Sequence, residues 1–176
     1  LFVYPNHKGM NMLPPAIGLL SACLKRDGHT IELFDTTHYN SVKIDEVVDD
    51  TDSDKSKSDR LMAKPYKTPH DITLKYTNVF EDFIKLVDEF SPDLLALSTT
   101  EDMFHLGLSL LKALKGRRPL TIAGGVFPTF APELVLSFDE IDIVCKGEGE
   151  LALSELCKRI VLNQDFTEIP NIWTMK

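Results

Sequence analysis

The sequence contains no apolar run close to the roughly 18 residues a helix needs to cross a bilayer, so no membrane span is expected. It also lacks a basic excess. Its 19 Lys and Arg stand against 27 Asp and Glu, a net charge of -8, which argues against a nucleic-acid partner. Cysteine is scarce: Cys23, Cys145 and Cys157 are odd in number, far apart and each set in an apolar pattern. That excludes a disulfide framework and a clustered metal site, and leaves buried free thiols in a reducing cytoplasm. A Cys-x-x-x-Cys-x-x-Cys run is missing, as is a Gly-x-Gly-x-x-Gly turn after the first strand. Leu1 to Tyr4 is too short, and has no basic lead, to be a secretory leader. Opening on Leu1, the chain reads as cut from a longer polypeptide.

What is present is an alternation of short apolar runs and amphipathic stretches. With 176 residues, 43% of them hydrophobic, the chain can build one domain around one good core. Leu1 to Tyr4 reads as a strand stopped by Pro5-Asn6. Pro14-Pro15 opens a helix with Ile17, Leu20 and Leu24 inward, and Gly28 suits the left-handed turn after it. Thr30 to Asp35 is a second strand. Val79, Phe80, Phe83, Ile84, Val87 and Phe90 form a helical face, broken by Ser91-Pro92-Asp93. Leu94 to Ser98 is a strand, followed by a helix through Phe104, Leu108, Leu111 and Leu114 that ends near Gly116. Leu120 to Ala123 closes on Gly124-Gly125, a short helix follows Pro132, Ile141 to Cys145 is a fifth strand, and Glu148 to Ile160 a last long helix.

Strands apolar on both faces and alternating with helices mean a parallel sheet covered on both sides. The expected fold is α/β: a doubly wound, flavodoxin-like, five-stranded parallel sheet. The rhythm breaks at about 39–76. Between Asp45 and Arg60 lie seven acidic and three basic residues among Ser and Thr, too little apolar surface to order themselves, so an exposed, mobile insertion is expected. Its later part, Met62 to His70, is a candidate lid.

In such sheets ligands bind beyond the carboxyl ends of the strands. Those loops hold Pro5-Asn6-His7, Ser98-Thr99-Thr100, Gly124-Gly125 and Lys146-Gly147-Glu148-Gly149-Glu150. They are rich in small side chains and amides and poor in acid–base or nucleophile pairs. A glycine at Gly125 would let a flat group approach the backbone. Ser98, Thr99 and Thr100 offer hydroxyls. The amides of Gly147 to Gly149 lead into a helix N-terminus that favours an anion. The pattern describes a slot for a large planar cofactor with a phosphate-bearing tail. Plainer readings stand beside it: a tight strand-to-helix turn at Gly124-Gly125, dipole complementation by Glu148 and Glu150, and capping by Ser98 or Thr99. A phosphoacceptor receiver would need acids where Pro5-Asn6 and Ser98 stand, and a flavodoxin a Ser/Thr/Gly-rich loop after the first strand.

Five segments together carry a resemblance. They are Pro14-Pro15-Ala16-Ile17-Gly18-Leu19-Leu20, Gly28-His29-Thr30 with Asp35, Pro92 to Ser98, Gly124-Gly125-Val126-Phe127-Pro128-Thr129, and Val144 to Glu150. In order and spacing the chain resembles the N-terminal cobalamin-binding, Rossmann-like domain of B12-dependent radical SAM proteins. That group includes the anaerobic magnesium-protoporphyrin ester cyclase and class B methyltransferases. The resemblance implies cobalamin over the strand ends, with its dimethylbenzimidazole tail inserted beside the sheet. It implies cofactor contacts at Pro5, Asn6, His7, Ser98, Thr99, Thr100, Gly124, Gly125, Phe127, Pro128, Gly147, Glu148, Gly149 and Glu150, and no catalytic residue. It further implies a [4Fe-4S] cluster and S-adenosylmethionine on a C-terminal radical SAM domain, and a small-molecule substrate between the two domains. Residues 1–163 would be the cobalamin domain and 164–176 the start of a linker, with Ile169-Pro170-Asn171-Ile172-Trp173 resembling its opening.

One loop departs from a related pattern. Methionine-synthase-type domains supply a lower cobalt ligand from Asp-x-His-x-x-Gly, whereas here the loop reads Pro5-Asn6-His7-Lys8-Gly9-Met10. Without a carboxylate to orient it, His7 is expected to be a loop residue rather than a ligand, leaving that face of the cobalt open or to water. The alternative from another class is a non-enzymatic sensor or interaction module with no corrinoid.

Overall fold

The computed structural model describes residues 1–7, 14–40 and 73–175. In chain order the strands are β1 (Phe2–Tyr4), β2 (Leu33–Asp35), β3 (Leu94–Ser98), β4 (Leu120–Gly124), β5 (Ile143–Cys145) and β6 (Ile172–Thr174). The helices are α1 (Pro15–Arg26), α2 (Val79–Phe90), α3 (Glu101–Ala113), α4 (Val126–Phe130), α5 (Pro132–Leu136) and α6 (Glu150–Val161). The sheet order is β2-β1-β3-β4-β5-β6. The first five strands are parallel in the flavodoxin order expected from the alternating pattern.

The count of five strands needs correcting to six. β6 pairs antiparallel with β5 through Ile143↔Thr174, Val144↔Trp173 and Cys145↔Ile172. It comes from the stretch read as a linker opening. Only three residues long, it shows no legible alternation, and what fixes it is a long-range match to the β5 edge plus a turn at Asn171, whose φ is 68°. Residues 126–130 are likewise helical although too short for a periodic signal.

The helices follow their sequence cues. α1 starts with Pro15 in its first turn, where a missing N–H costs nothing. It ends as Gly28, at φ 91°, lets His29 N–H reach Leu24 O at 3.0 Å. Asn78 caps α2 by accepting from the amides of Phe80 and Glu81, and Val79, Phe83 and Val87 turn inward. The two faces of the sheet carry separate cores. One packs Val3, Leu95, Leu97, Ala123 and Val144 under α2 to α5, with Phe104 stacked at 5.0 Å on Phe127 and 5.3 Å on Phe138. The other packs Phe2, Tyr4, Ile122, Ile143 and Cys145 under α1 and α6, which lie against each other. Each fully buried Leu, Ile or Phe contributes roughly 1.5–3 kcal/mol of transfer free energy, so both faces hold the sheet.

Two polar ties matter. Arg118 grips Asp142 with its two terminal guanidinium nitrogens, and Asp142 also accepts from Thr121 N–H at 2.7 Å, joining the feet of β4 and β5. Tyr39 and Lys75 form a parallel bridge: Lys75 N–H donates to His38 O and Asn40 N–H to Lys75 O, each at 2.8 Å. The Lys75 ammonium also lies 4.8 Å from the centre of the Tyr39 ring. Of the insertion expected at about 39–76, the two ends are thus tied to the domain, with Tyr39 buried, while 41–72, and with them the candidate lid Met62 to His70, lie outside the described residues.

Candidate functional site

On the α1/α6 face, successive residues of β3 shrink toward the carboxyl end: Leu94, Ala96, Ser98. Beside them β4 runs Leu120, Ile122, Gly124. A period of two puts each set on one face, and their taper leaves a cleft of about 130 Å³ between the upper sheet and the two helices. Ala16 and Leu20 wall it from α1, Leu153 from α6, and Cys145 from β5. The turn Gly147-Glu148-Gly149-Glu150 closes its mouth.

Of the residues singled out in the sequence, the cleft brings together Ser98, Gly124, Gly125, Gly147, Glu148, Gly149 and Glu150. The others sit elsewhere. Phe127 turns to the opposite face, where it stacks on Phe104, and Pro128 is buried in α4 outside the cleft lining. Pro5 is buried, with its ring facing Gly107 of α3. Asn6 is fully buried and ties β1 to the loop after β2. Its N–H donates to Thr36 Oγ1, which donates back to Asn6 O, both at 2.7 Å, and its amide donates to Thr37 Oγ1 at 2.9 Å. His7 follows, half-buried. Thr99 is buried with its hydroxyl donating to Thr100 O at 2.8 Å. Thr100 is the N-cap of α3 but makes no capping bond, and its buried Oγ1 has no hydrogen-bond partner among the described residues.

The glycines divide by role. Gly125 was expected to clear space for a ligand, but its missing Cβ faces protein: an added one would lie 2.7 Å from Thr99 O, at a φ of 109°. It is there so that two rim loops can touch. Gly124 is the residue that leaves the cleft open, because a Cβ there would meet only Cys145 Cβ, at 3.9 Å. The Gly147 N–H, read from sequence as part of an anion nest, instead donates to Thr129 Oγ1 at 3.1 Å. Thr129 in turn donates to Gly125 O at 2.8 Å, so one hydroxyl links both glycine turns. From the other side Lys146 N–H donates to Asn171 O at 2.8 Å and Asn171 Nδ2 to Glu148 O at 3.0 Å, while the Lys146 ammonium rests 4.5 Å from the Trp173 ring centre.

Sequence reasoning missed Ala16, Leu20, Ala96, Cys145, Leu153 and the Thr129 link. The alternation Leu94, Ala96, Ser98 was the available signal for Ala96. Helix-to-sheet contacts have no equivalent in the sequence. Cys145 is buried, and burial, helped by the nearby Glu150 and Glu148 charges, pushes its thiol up to about 11. Cys23 and Cys157 are only half-buried, less than their apolar settings suggested.

Residues 66–157 match the model of the B12 binding domain. The match spans more than half of the chain, which therefore belongs to the B12-binding domain family. An uncharacterized methyltransferase, PH0819, of Pyrococcus horikoshii is 29% identical over 102 residues, 54% of this chain and 22% of that protein. Among solved structures, the radical S-adenosylmethionine methyltransferase TsrM from Kitasatospora setae, with tryptophan and a SAM analog bound, aligns at a TM-score of 0.64. It shares 18% identity over 97% of this chain and 27% of its own. The cobalamin-dependent S-adenosylmethionine radical enzyme OxsB, with aqua-cobalamin and S-adenosylmethionine bound, aligns at 0.63, with 18% identity over 97% of this chain and 20% of its own. These two share the fold. The chain spans about a quarter or less of the proteins it matches. Among the described residues no helix is long and apolar enough to cross a membrane.

Proposed function

We propose that this chain holds cobalamin over the carboxyl ends of β1, β3, β4 and β5, with the dimethylbenzimidazole tail in the cleft beneath α1 and α6. The observation that carries this reading is an open, mostly apolar cleft in a B12-binding domain, at the strand ends where the fold binds ligands. A flat aromatic base suits walls of Ala16, Leu20, Ala96, Ile122 and Leu153, and Gly124 and Ser98 leave it room. Ser98, Glu148 and Glu150 are the polar side chains that line the cleft and would face the nucleotide's sugar and amide arms. The Gly147–Glu150 turn, pinned by Thr129 and Asn171, forms the rim against which the tail descends. Of the expected contacts, Asn6, Phe127 and Pro128 act by holding the rim loops in place.

The parent we propose is a B12-dependent radical SAM enzyme, a methyltransferase or cyclase-like catalyst. Its [4Fe-4S] cluster, S-adenosylmethionine and substrate would be held by a C-terminal radical SAM domain. Bound cobalamin would supply a methyl carrier or redox-active cobalt to that domain. The residues of this chain orient it and shield its tail from water. His7 lies in the loop beside the strand ends without the Asp that would orient a cobalt ligand. Incubation of the purified chain with hydroxocobalamin, followed by gel filtration, tests the reading. Corrinoid absorbance should co-elute at one equivalent per chain. A chain eluting free of corrinoid would overturn the assignment in favour of a sensor or interaction module.

A further inference from the structure

The rung of the sheet that floors the cleft reads Leu33, Phe2, Ala96, Ile122, Ile143 across five strands. Four members are large and apolar, and Ala96 at the centre is a notch. A second cavity of about 390 Å³ lies on the same face toward the amino ends of the strands. It shares Phe2, Ala96 and Leu153 with the cleft, so the two spaces meet over the notch. Above it the walls are Leu20, Ile122 and Leu153, and the polar side chains Ser98, Glu148 and Glu150 lie toward the mouth. The polar side chains of the second cavity, His29, Thr30, Ser91 and Asp93, belong to the loops before β2 and β3 and stand beyond it.

We propose that Ala96 determines which corrinoid the domain takes by reading the lower base, favouring a base with an apolar far edge over a purine. This rests on the cobalamin reading above and adds a specificity to it. A base descending from the mouth brings its far edge to the notch. The methyl-bearing edge of dimethylbenzimidazole loses little by leaving water there. The ring nitrogen and amino group of adenine lose their water partners and meet Phe2, Ile122 and Leu153, which offer no hydrogen bond. Discrimination by unpaired polar groups is the strong kind.

The test is equilibrium binding of three corrinoids to the 176-residue chain: cobalamin, the adenine-based cobamide and cobinamide, which lacks the base. Cobalamin should bind at least tenfold tighter than either. Adenine is the weaker cobalt ligand and leaves the metal more readily, so a cleft indifferent to polarity would rank the adenine form first. Ala96→Val, a strand-compatible change, should weaken cobalamin at least tenfold and leave cobinamide unchanged. Ala96→Ser, which places a hydroxyl at the notch, should narrow the gap between cobalamin and the adenine form. Equal affinity for all three corrinoids, or an adenine form bound as tightly as cobalamin, overturns the inference and leaves cobalamin binding intact. Failure of every corrinoid to bind overturns the cobalamin reading itself, and the selectivity with it. Should Ala96→Val lose its native circular dichroism, the wild-type ranking and Ala96→Ser decide the question.

Discussion

The backbone of Gly125 rests against the carbonyl oxygen of Thr99, with room for a hydrogen and none for a methyl group. This contact sets the spacing between the loops after β3 and β4, and it separates the two adjacent glycines. Gly125→Ala should destabilise the fold by on the order of 2 kcal/mol, from the left-handed backbone and the clash together. Gly124→Val should leave the melting temperature within a few degrees of wild type and reduce cobalamin binding at least tenfold. Thermal melts paired with binding isotherms would decide it. The reverse pattern would show the cleft assigned to the wrong glycine.

Thr129 joins the same rim to the Gly147 turn through one hydroxyl that both donates and accepts. Thr129→Val keeps the shape and removes both bonds, at about 0.5–1.5 kcal/mol each. Cobalamin affinity should drop about three- to tenfold, with cobinamide affected as much as cobalamin, since the rim rather than the tail loses its support. Thr129→Ser should restore binding. A variant with wild-type affinity for both corrinoids would rule out the link.

Asp82 accepts hydrogen bonds from Thr77 Oγ1 at 2.6 Å and Tyr39 Oη at 2.9 Å. Those bonds, Thr77 first, hold its carboxyl below the ordinary carboxylate range. A group whose folded pKa is depressed stabilises the fold above its unfolded pKa, and that gain disappears as pH falls through the folded value. Wild type should therefore exceed Asp82→Asn in stability by about 0.5–1 kcal/mol at pH 7, a modest figure because the site is solvent-screened. The two should converge only as pH falls below the ordinary carboxylate range, where Asp82 becomes protonated in the folded state as well. Urea titrations across pH 2 to 7 would measure it, and a gap constant with pH would contradict the mechanism.

Cys145 lines the cleft as a thiol pushed up to about 11 by its burial. At pH 8 the reactive thiolate is a small fraction, so alkylation by iodoacetamide should be slow and should accelerate as pH approaches 11. Hydroxocobalamin should slow it further if the tail occupies the cleft. Peptide mapping by mass spectrometry resolves Cys145 from Cys23 and Cys157. Unaltered Cys145 labelling with corrinoid bound would place the tail elsewhere.

The parallel sheet was legible because burial on both faces leaves continuous apolar runs such as Leu94 to Leu97, and because Gly28 and Pro92 punctuate them. β6 was not, since three residues around Trp173 hold no period and gain their strand only from the edge of β5. In the cleft, the glycine-rich turns advertised the rim, but the division of labour between Gly124 and Gly125 depends on which way a Cβ would point across the fold. Phe127 follows soon after Gly125 yet belongs to the opposite core, because α4 turns immediately after Gly125. Local chemistry thus marked the ligand end of the sheet, and packing chose which residues face the ligand.

The bridge between Tyr39 and Lys75 holds two stretches far apart in the sequence side by side. Its two backbone hydrogen bonds close the intervening loop locally, so a change in the number of residues between those stretches falls on the entropy of loop closure. Closing a longer excursion costs only about 0.6 kcal/mol per doubling of its length. The bridge therefore fixes where the loop after β2 meets the approach to α2, and Tyr39, bonded through its hydroxyl to Asp82, carries that position into the helix.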